Sequence, residues 1–473
     1  MAIHPLLEDR GFTLFHAAQI AEKAQWAAQT LSSYERADVL KIAEAVANAA
    51  HKNARRFAEM TVRETGYGNI DDAALKNEAC SKGIFARYRA EDFTGIRLIP
   101  EAKAVEIAKP LGVVFAMLPA TSPVAALFHA TKLCLLTRNA LIVSPQPAAI
   151  KSSVEAARFL AKVAEDAGAP DGTVQLIESP SLAINESLMK SDRVDLSIML
   201  EASEAGPVYV DESANLARAA RAIVDAKSFD NGIGFTSEAA IIAHAAIADR
   251  LREELARNGA HICSDAERDK LESLLFPLAK FDANWIGKPA SVIAAKAGFK
   301  VPSRTRLLVA PLMRVGDDYP LSREKPCPVI GFYVAANRDS AISACRAMLR
   351  GPGGGDCAAI HSEDAAMILR FGSEMNATCI SVNASMVPTS SGLATHLPLF
   401  GLSPDKLVRH VTMAWSADAS VKLPSLAGIG LPRPAVIGRP PHGEIDYDFG
   451  NPPPGTAKQV GKTAGKSRGK LRA

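Results

Sequence analysis

The chain has 473 residues, of which 48% are hydrophobic and 22% charged, a composition typical of a soluble globular protein with two or three domains. Its formal net charge of +3 neither favours nor excludes a polyanionic partner. The seven cysteines are scattered without a C-x-x-C pair, which argues against a disulfide framework or a zinc site and favours a reducing compartment. No signal peptide is recognisable and no apolar run approaches about 18 residues, so we expect a cytoplasmic protein that does not span a membrane.

The first ninety residues have the pattern of amphipathic helices. Ser32-x-x-Glu35 has the form of a capping box, and apolar residues follow it at helical spacing as far as Val46. Residues 64–68 interrupt this pattern, which resumes over residues 71–89. Alternating apolar residues on either side of Pro100 then predict a β-hairpin over residues 96–108.

From residue 111 onward, short apolar strands alternate with helices. Strands are predicted at residues 113–118, 140–143, 174–177 and 194–200, and helices at 124–136, 152–167 and 185–190. This alternation predicts an α/β fold with a doubly wound, Rossmann-like parallel sheet. Such sheets commonly bind nucleotides, but the chain contains no G-x-G-x-x-G or Walker motif.

Two glycine-containing loops are candidates for a functional site. Residues 228–238 read S-F-D-N-G-I-G-F-T-S-E and join a helical pattern to an apolar run. Residues 350–357 read R-G-P-G-G-G-D-C. Short loops at such junctions are where an α/β enzyme commonly exposes its reactive side chains.

Residues 228–238 resemble the nucleophile loop of the aldehyde dehydrogenase superfamily, specifically its CoA-acylating, acetaldehyde dehydrogenase-like branch. In that branch, F-D-N-G is followed by two residues, the nucleophilic cysteine and then a Ser-Glu pair. The resemblance extends from about residue 10 to residue 415, because further segments match landmarks of the branch in order and spacing. These segments are residues 64–68, 109–113, 132–144, 168–170, 207–213, 324–329 and 359–362. The resemblance implies a doubly wound cofactor domain, an α/β catalytic domain and a β oligomerisation arm.

At the positions that match the family's catalytic groups, this chain departs from the pattern. Phe235 stands at the nucleophile position, and a phenyl ring can neither attack a carbonyl nor lose a proton. Ser122 stands at the position of the oxyanion-hole asparagine, although a serine that caps the helix starting near Pro123 is the simpler interpretation. Asp356 replaces a loop histidine, and the last glycine-rich substrate loop is shortened to residues 399–404.

The cofactor positions are also changed. Glu324 matches the glutamate that in the family contacts the nicotinamide ribose, although a surface glutamate that opens a strand is an equally good interpretation. After the strand at residues 194–200, the family holds the nicotinamide half of NAD(P) with a glycine-rich loop, a helix and a second strand. Here the chain continues directly to Pro207, so about twenty residues are missing, including backbone N–H groups that would face the diphosphate. We therefore expect no tight cofactor binding; NAD(P) and CoA remain the cofactors if the family reaction is retained.

Cys357 has two interpretations. The resemblance places its loop beside the catalytic cleft, where backbone N–H groups can stabilise a thiolate and make Cys357 a relocated nucleophile. Against this, the neighbouring carboxylate of Asp356 raises a thiol pKa. The simpler interpretation is a small packed cysteine in place of the family's threonine.

These observations divide the chain into four regions. Residues 1–226 are predicted to form the N-terminal helices and the Rossmann-like domain, with the hairpin at 96–108 as the oligomerisation arm. Residues 227–405 form the catalytic-type α/β domain, and residues 406–450 a C-terminal oligomerisation strand at 411–415 with a Pro- and Gly-rich extension. Residues 451–473 form a disordered basic tail, whose lack of aromatic residues disfavours nucleic-acid binding.

Two functional hypotheses follow. In the first, the chain is a catalytically inactive member of the family that forms a homo-oligomer, or a hetero-oligomer with an active aldehyde dehydrogenase, as a structural or regulatory partner. In the second, it is an oxidoreductase with an altered site that converts an aldehyde to an acyl-CoA with NAD(P) and CoA. The first explains all of the departures together, whereas the second requires a new nucleophile and a new cofactor site.

Overall fold

The computed structural model describes residues 5–99, 104–200, 206–234, 238–350, 357–385 and 399–414. The helices are α1 (Pro5–Leu31), α2 (Arg36–Lys52), α3 (Ala54–Thr65), α4 (Ile70–Glu78), α5 (Ile84–Tyr88), α6 (Pro123–Leu136), α7 (Ile150–Ala167), α8 (Leu182–Met189), α9 (Leu216–Ser228), α10 (Ala248–Arg257), α11 (Asp265–Leu275), α12 (Ala290–Ala297), α13 (Arg338–Met348) and α14 (Ala365–Glu374). The strands are β1 (Ile96–Ile99), β2 (Ala104–Pro110), β3 (Val113–Met117), β4 (Ala140–Ser144), β5 (Val174–Leu176), β6 (Leu196–Met199), β7 (Gly206–Val210), β8 (Glu238–His244), β9 (Ala260–Ile262), β10 (Leu307–Leu312), β11 (Val329–Ala335), β12 (Cys357–His361), β13 (Cys379–Val382) and β14 (Val408–Ala414).

In the described part of the chain, four parallel strands form a sheet in the order β5-β4-β3-β6, here called the N-terminal sheet. Val113 and Phe115 of β3 pack with α1 and α8, whereas Val114 and Ala116 pack with α2, α6 and α7. Because successive side chains of a strand point to opposite faces, a strand buried on both faces reads as a continuous apolar run. The predicted doubly wound α/β fold is confirmed.

A second parallel sheet, here called the C-terminal sheet, has the order β13-β12-β7-β8-β11-β10-β9 among the described residues. Val208 of β7 packs with α9 and α10 on one face, and Tyr209 packs with α13 and α14 on the other. β7 starts at Gly206 and belongs to this sheet, and the domain boundary at residue 227 stays a prediction. Sheet membership depends on pairing with distant strands, which the local pattern of β7 and α9 does not show.

The predicted hairpin is present, because β1 and β2 pair antiparallel. β14 pairs antiparallel with the other edge of β2, with Val411 opposite Ile107, and completes a sheet in the order β1-β2-β14 among the described residues. The C-terminal strand therefore begins at residue 408, earlier than predicted, and Trp415 lies outside the described residues. Its role in oligomerisation stays a prediction.

The predicted capping box at Ser32 is wrong. α2 begins at Arg36, and its N-cap residue Glu35 makes no side-chain capping hydrogen bond. The hydroxyl of Ser32 instead donates to the backbone oxygen of Gln29, which lies in the last turn of α1. Ser32 therefore follows the end of one helix and does not start the next.

No helix in the described ranges is both long enough and apolar enough to cross a membrane.

Candidate functional site

The loop that reads F-D-N-G follows α9 directly and lies before β8. Three successive residues have positive φ angles: 48° at Asp230, 53° at Asn231 and 83° at Gly232. A Cβ atom on Gly232 would lie 2.3 Å from the carbonyl carbon of Cys327, so this position requires glycine for space as well as for conformation. Phe235, the predicted nucleophile position, lies outside the described residues.

The start of α4 holds this loop in its left-handed conformation. The Oδ1 atom of Asp230 accepts a hydrogen bond from the backbone N–H of Asn69 at 2.7 Å, and the backbone N–H of Asp230 donates to Asp72 at 2.7 Å. The side-chain amide of Asn231 donates to the backbone oxygen of Gly68 at 3.1 Å. Left-handed backbone costs free energy in non-glycine residues, so these bonds explain why Asp230 and Asn231 adopt it.

Lys76 of α4 is the central charge of the site. Its Nζ atom lies 2.5 Å from Oδ2 of Asp230, and the side chains are 3% and 2% exposed, respectively. The same atom donates to Oγ of Ser122 at 2.7 Å and to the backbone oxygens of Ile233 at 3.0 Å and Thr121 at 3.2 Å. An ammonium has three N–H donors, so four acceptors satisfy it fully. One buried side chain therefore joins α4, the start of α6 and the F-D-N-G loop.

Ser122 lies at the N-cap position of α6, as the sequence suggested, but its hydroxyl makes no capping hydrogen bond. The hydroxyl is buried and accepts from the Lys76 ammonium instead. The capping interpretation is therefore wrong, because a buried ammonium that lies 2.7 Å away binds the oxygen that a cap would use. The residue at the oxyanion-donor position is thus part of the Lys76 network.

A second group of buried charges lies beside β8. The Nζ atom of Lys325 donates to three backbone oxygens, and the Nζ atom of Lys227 donates to the backbone oxygen of Lys325 at 2.9 Å. Glu238, at the start of β8, is also buried. Burial raises the pKa of Glu238 to about 7, and the opposite charge of Lys227 partly offsets this effect. These groups join the end of α9, the start of β8 and the segment before β11.

Glu324, the position matched to the nicotinamide-ribose contact, is half-buried. It does not open a strand, because β11 begins only at Val329. It lines a pocket of about 250 Å³ together with Arg323, Phe276 and Phe281. The interpretation as a surface glutamate at a strand start is therefore wrong, and a role in cofactor binding stays a prediction.

Cys357 is the first residue of β12 and is 1% exposed. It packs in the apolar cluster that contains Val208, Ile241 and Ala359. This position favours the packed cysteine over the relocated nucleophile, because a nucleophile has to reach a substrate. Asp356 and the preceding glycine-rich run lie outside the described residues.

The chain passes from β6 of the N-terminal sheet to β7 of the C-terminal sheet through residues 200–205 alone. A crossover that contains a helix needs at least about 10–12 residues. These six residues are too few for a helix and a strand, and the absence of the element that the resemblance implies for the nicotinamide half of NAD(P) stays a prediction. Of the strands described, only β3 pairs with β6, which leaves β6 at the edge of the N-terminal sheet.

A cleft of about 560 Å³ borders the F-D-N-G loop. Ser228, Phe229 and Asn231 line it, together with Arg304 and Arg306. The guanidinium of Arg306 donates to Oγ of Ser228 at 2.9 Å. The cleft is large enough for a small molecule and borders the loop directly.

The sequence did not reveal the buried lysines. Lys76 lies in a stretch that reads as an ordinary amphipathic helix, and Lys227 and Lys325 each stand in polar segments. Lys132 is the exception, because the residues around it in α6 form an almost continuous apolar run that predicts full burial. Its Nζ atom is buried and donates no hydrogen bond to any described residue.

Comparison with known proteins identifies similar chains. A family model described as "Aldehyde dehydrogenase family" matches residues 13–205. The chain is 31% identical over 398 residues to the aldehyde-alcohol dehydrogenase of Clostridium acetobutylicum. This alignment covers 80% of this chain and 46% of that relative. It therefore spans about half the length of that relative.

Other relatives match along most of their length. The succinate-semialdehyde dehydrogenase (acetylating) of Clostridium kluyveri is 30% identical over 383 residues, or 77% of this chain and 84% of the relative. Among solved structures, an acetylating aldehyde dehydrogenase from Geobacillus thermoglucosidasius superposes with a TM-score of 0.82 at 29% identity. That match covers 88% of this chain and 99% of the other.

Proposed function

Because the chain belongs to the aldehyde dehydrogenase family and is related to its CoA-acylating members, we propose that it keeps their scaffold without their reaction. It acts as a structural or regulatory partner of an active relative, in a homo- or hetero-oligomer. The observation that carries this proposal is the short connection from β6 to β7 through residues 200–205. A substitution weakens a cofactor site, whereas the loss of a whole helix and strand removes its backbone donors.

The chemistry of the loop supports the same proposal. Phe235 at the nucleophile position has no group that can form a thiohemiacetal. The ammonium of Lys76 contacts Ser122 and Asp230 and is satisfied by them and by two backbone oxygens. A fully paired ammonium has no donor left for a developing oxyanion, and the single hydroxyl of Ser122 reaches less far than the side-chain amide that the family uses at this position.

The alternative is an oxidoreductase that acts on an aldehyde with NAD(P) and CoA through an altered site. The cleft of about 560 Å³ beside Ser228, Phe229 and Asn231 favours it, since a small molecule can reach the loop there. This alternative requires cofactor binding, so the same titration separates the two hypotheses.

Calorimetric titration of the purified full chain with NAD⁺, NADP⁺ and CoA tests the proposal. The acetylating enzyme from Geobacillus thermoglucosidasius, titrated in the same buffer, is the control for cofactor quality. We expect no saturable heat for this chain and no rise in melting temperature, because a ligand that binds the native state would raise it. A dissociation constant below ~100 μM for a nicotinamide cofactor, typical of a working dehydrogenase, would contradict the proposal.

A pair of substitutions at residue 235 tests whether only the nucleophile is missing. Phe235→Cys introduces the thiol, and Phe235→Ser is the control of similar size without it. Both variants are expected to form no NADH from an aldehyde and CoA, because the cofactor element is also absent. NADH formation by Phe235→Cys alone would show that the rest of the site is intact.

The partner role is tested by mixing the chain with an active acylating relative and measuring the native mass of the complex. Assembly is expected to depend on the arm formed by β2 and β14. Val411→Pro removes a backbone donor from β14 and is expected to abolish co-assembly, whereas Val411→Thr keeps a strand-forming residue and is expected to preserve it. If neither the chain nor its Val411→Thr variant forms an oligomer of any kind, the partner role is excluded.

A further inference from the structure

A cluster of three metal-ligating side chains lies outside the F-D-N-G loop, at the edge of the C-terminal sheet. His261 belongs to the edge strand β9, Cys263 follows it directly, and Glu267 lies in the first turn of α11. One ligand atom of each residue lies within 4.8 Å of the other two. The separation between Nε2 of His261 and Oε2 of Glu267 is 3.2 Å.

Local structure explains why the three side chains converge. His261 and Cys263 are two residues apart along an extended chain, so their side chains point to the same face of the sheet. Cys263 packs on that face against Leu271, which places α11 over it. Glu267 is one helical turn before Leu271 and therefore also faces the strand.

We propose that His261, Cys263 and Glu267 form a binding site for a divalent metal ion of the zinc type. Imidazole, thiolate and carboxylate are the ligands that Zn²⁺ takes in proteins, at distances of about 2.0–2.3 Å. Ligands at those distances lie about 3–4 Å apart in a tetrahedron, so shifts of about 1 Å bring these three into place. Water completes the fourth position. The deprotonated thiol and carboxylate together balance the charge of the divalent cation.

The surroundings of the cluster fit a bound ion. The side chains of His261 and Glu267 are 26% and 22% exposed, so an ion can enter from solvent, while Cys263 is buried. The ring of His261 stacks on Phe299, which limits its rotation. Oε2 of Glu267 also accepts from the backbone N–H and the hydroxyl of Ser264, which orients the carboxylate.

The spacing H-x-C-x-x-x-E differs from the pairs of closely spaced cysteines that identify a zinc site in a sequence. The scattered cysteines therefore predicted no such site. Only the packing of α11 on β9 brings the carboxylate to the other two ligands.

Titration of the metal-free, reduced full chain with Co²⁺, a spectroscopic substitute for Zn²⁺, tests this site. We expect saturation at about one Co²⁺ per chain, with the strong visible absorption of a tetrahedral site, a near-ultraviolet thiolate-to-cobalt band and displacement by Zn²⁺. Cys263→Ser is expected to abolish the near-ultraviolet band. Cys379→Ser is the matched control, because Cys379 lies on the opposite edge of the same sheet. It is expected to leave the Co²⁺ spectrum and affinity unchanged.

Two further variants keep the test decisive if Cys263→Ser does not fold. Glu267→Gln keeps a capping-box side chain at the start of α11 but removes the carboxylate, and His261→Gln removes the imidazole from a partly exposed position. Each is expected to weaken Co²⁺ binding by at least about tenfold. Absence of the thiolate band up to millimolar Co²⁺, or wild-type affinity in both Gln variants, would overturn the proposal.

Discussion

Two buried lysines of this protein differ in whether their ammonium groups are hydrogen-bonded. The Nζ atom of Lys76 contacts Asp230, Ser122 and two backbone oxygens, whereas that of Lys132 is over the ring of Phe128 at 5.1 Å and has no hydrogen-bond partner among the described residues. A buried charge costs free energy unless it is paired. Identical substitutions at the two positions should therefore have opposite effects.

Lys76→Met is expected to lower the free energy of unfolding by about 3–5 kcal/mol, because it leaves the Asp230 carboxylate buried without its partner. Lys132→Met is expected to raise it by roughly 1–4 kcal/mol at neutral pH, because it replaces an unpaired polar group with an apolar one of similar length. Urea denaturation of both variants and the wild type measures the effects. A change in the free energy of unfolding that has the same sign in both variants would contradict this account.

The stability difference between wild type and Lys132→Met should depend on pH. Burial lowers the pKa of Lys132 from its usual 10.5 to about 7. Between pH 7 and 10.5 the unfolded chain therefore binds a proton that the folded chain does not, so the stability contributed at this position rises with pH. The advantage of Lys132→Met is expected to be largest below pH 7 and to decrease toward pH 10.5, where only the cost of burying the neutral, unpaired amine remains. A difference that stays constant over this range would show that Lys132 titrates normally in the fold.

The reactivity of each cysteine depends on how deeply its own side chain is buried. All seven cysteines lie in the described residues; Cys379 is half-buried and the others, including Cys357 and Cys345, are buried. We expect iodoacetamide at neutral pH to modify Cys379 first. Cys357 should react no faster than the fully buried Cys345, because both require local opening. Peptide mapping measures the order, and rapid modification of Cys357 would revive its role as a relocated nucleophile.

At the scale of elements, the F-D-N-G loop depends on close backbone contact with the segment before β11. Gly232 has a φ angle of 83° and faces the carbonyl group of Cys327, whereas Gly298, at the end of α12, has a φ angle of 85° and open space around it. The two glycines share a conformation but differ in their surroundings. Alanine substitution at each position therefore distinguishes the free-energy cost of a left-handed backbone from the cost of a steric clash.

Gly298→Ala is expected to lower the free energy of unfolding by about 1–2 kcal/mol, the cost of left-handed backbone in a residue with a Cβ atom. Gly232→Ala is expected to cost at least about 1–3 kcal/mol more, because its Cβ atom would displace backbone that cannot rotate away. Thermal or urea unfolding of the two variants gives the comparison. Similar losses in both would mean that the loop adjusts without strain.

At the scale of the whole molecule, charge is unevenly distributed along the chain. Residues 455–473 carry six Lys and Arg residues and no acidic residue. Without these six cations, the formal net charge of +3 becomes −3. The basic end of the protein is thus separate from the α/β body in sequence and in composition.

Deletion of residues 455–473 is expected to leave the melting temperature unchanged within about 2 °C, because the segment is too poor in apolar residues to add to a core. The truncated chain should bind an anion exchanger at neutral pH, unlike the full chain. Neither form is expected to bind single-stranded RNA at physiological salt, since the segment has no aromatic side chain for stacking. A large loss of stability, or RNA binding that disappears with the segment, would contradict these expectations.

The sequence by itself determined the fold class and the family, whereas the changes at the catalytic and cofactor positions stay predictions. Strands and helices follow from the spacing of apolar residues, which is a local property of a segment. The F-D-N-G loop can likewise be recognised in the sequence alone. The prediction of a doubly wound sheet and of the hairpin at residues 96–108 was therefore confirmed. The short connection between Leu200 and Pro207 is also visible in the sequence, and the loss of the cofactor element that it indicates stays a prediction.

Tertiary structure alone decided which polar groups meet. Lys76 and Ile233 are 157 residues apart in sequence, and no local pattern indicates that the ammonium of one binds the backbone oxygen of the other. The same holds for β7, whose place in the C-terminal sheet depends on pairing with β8 and β12. Burial of a charge, sheet membership and the meeting of His261 with Glu267 all arise from packing between elements, which periodicity within one element does not encode.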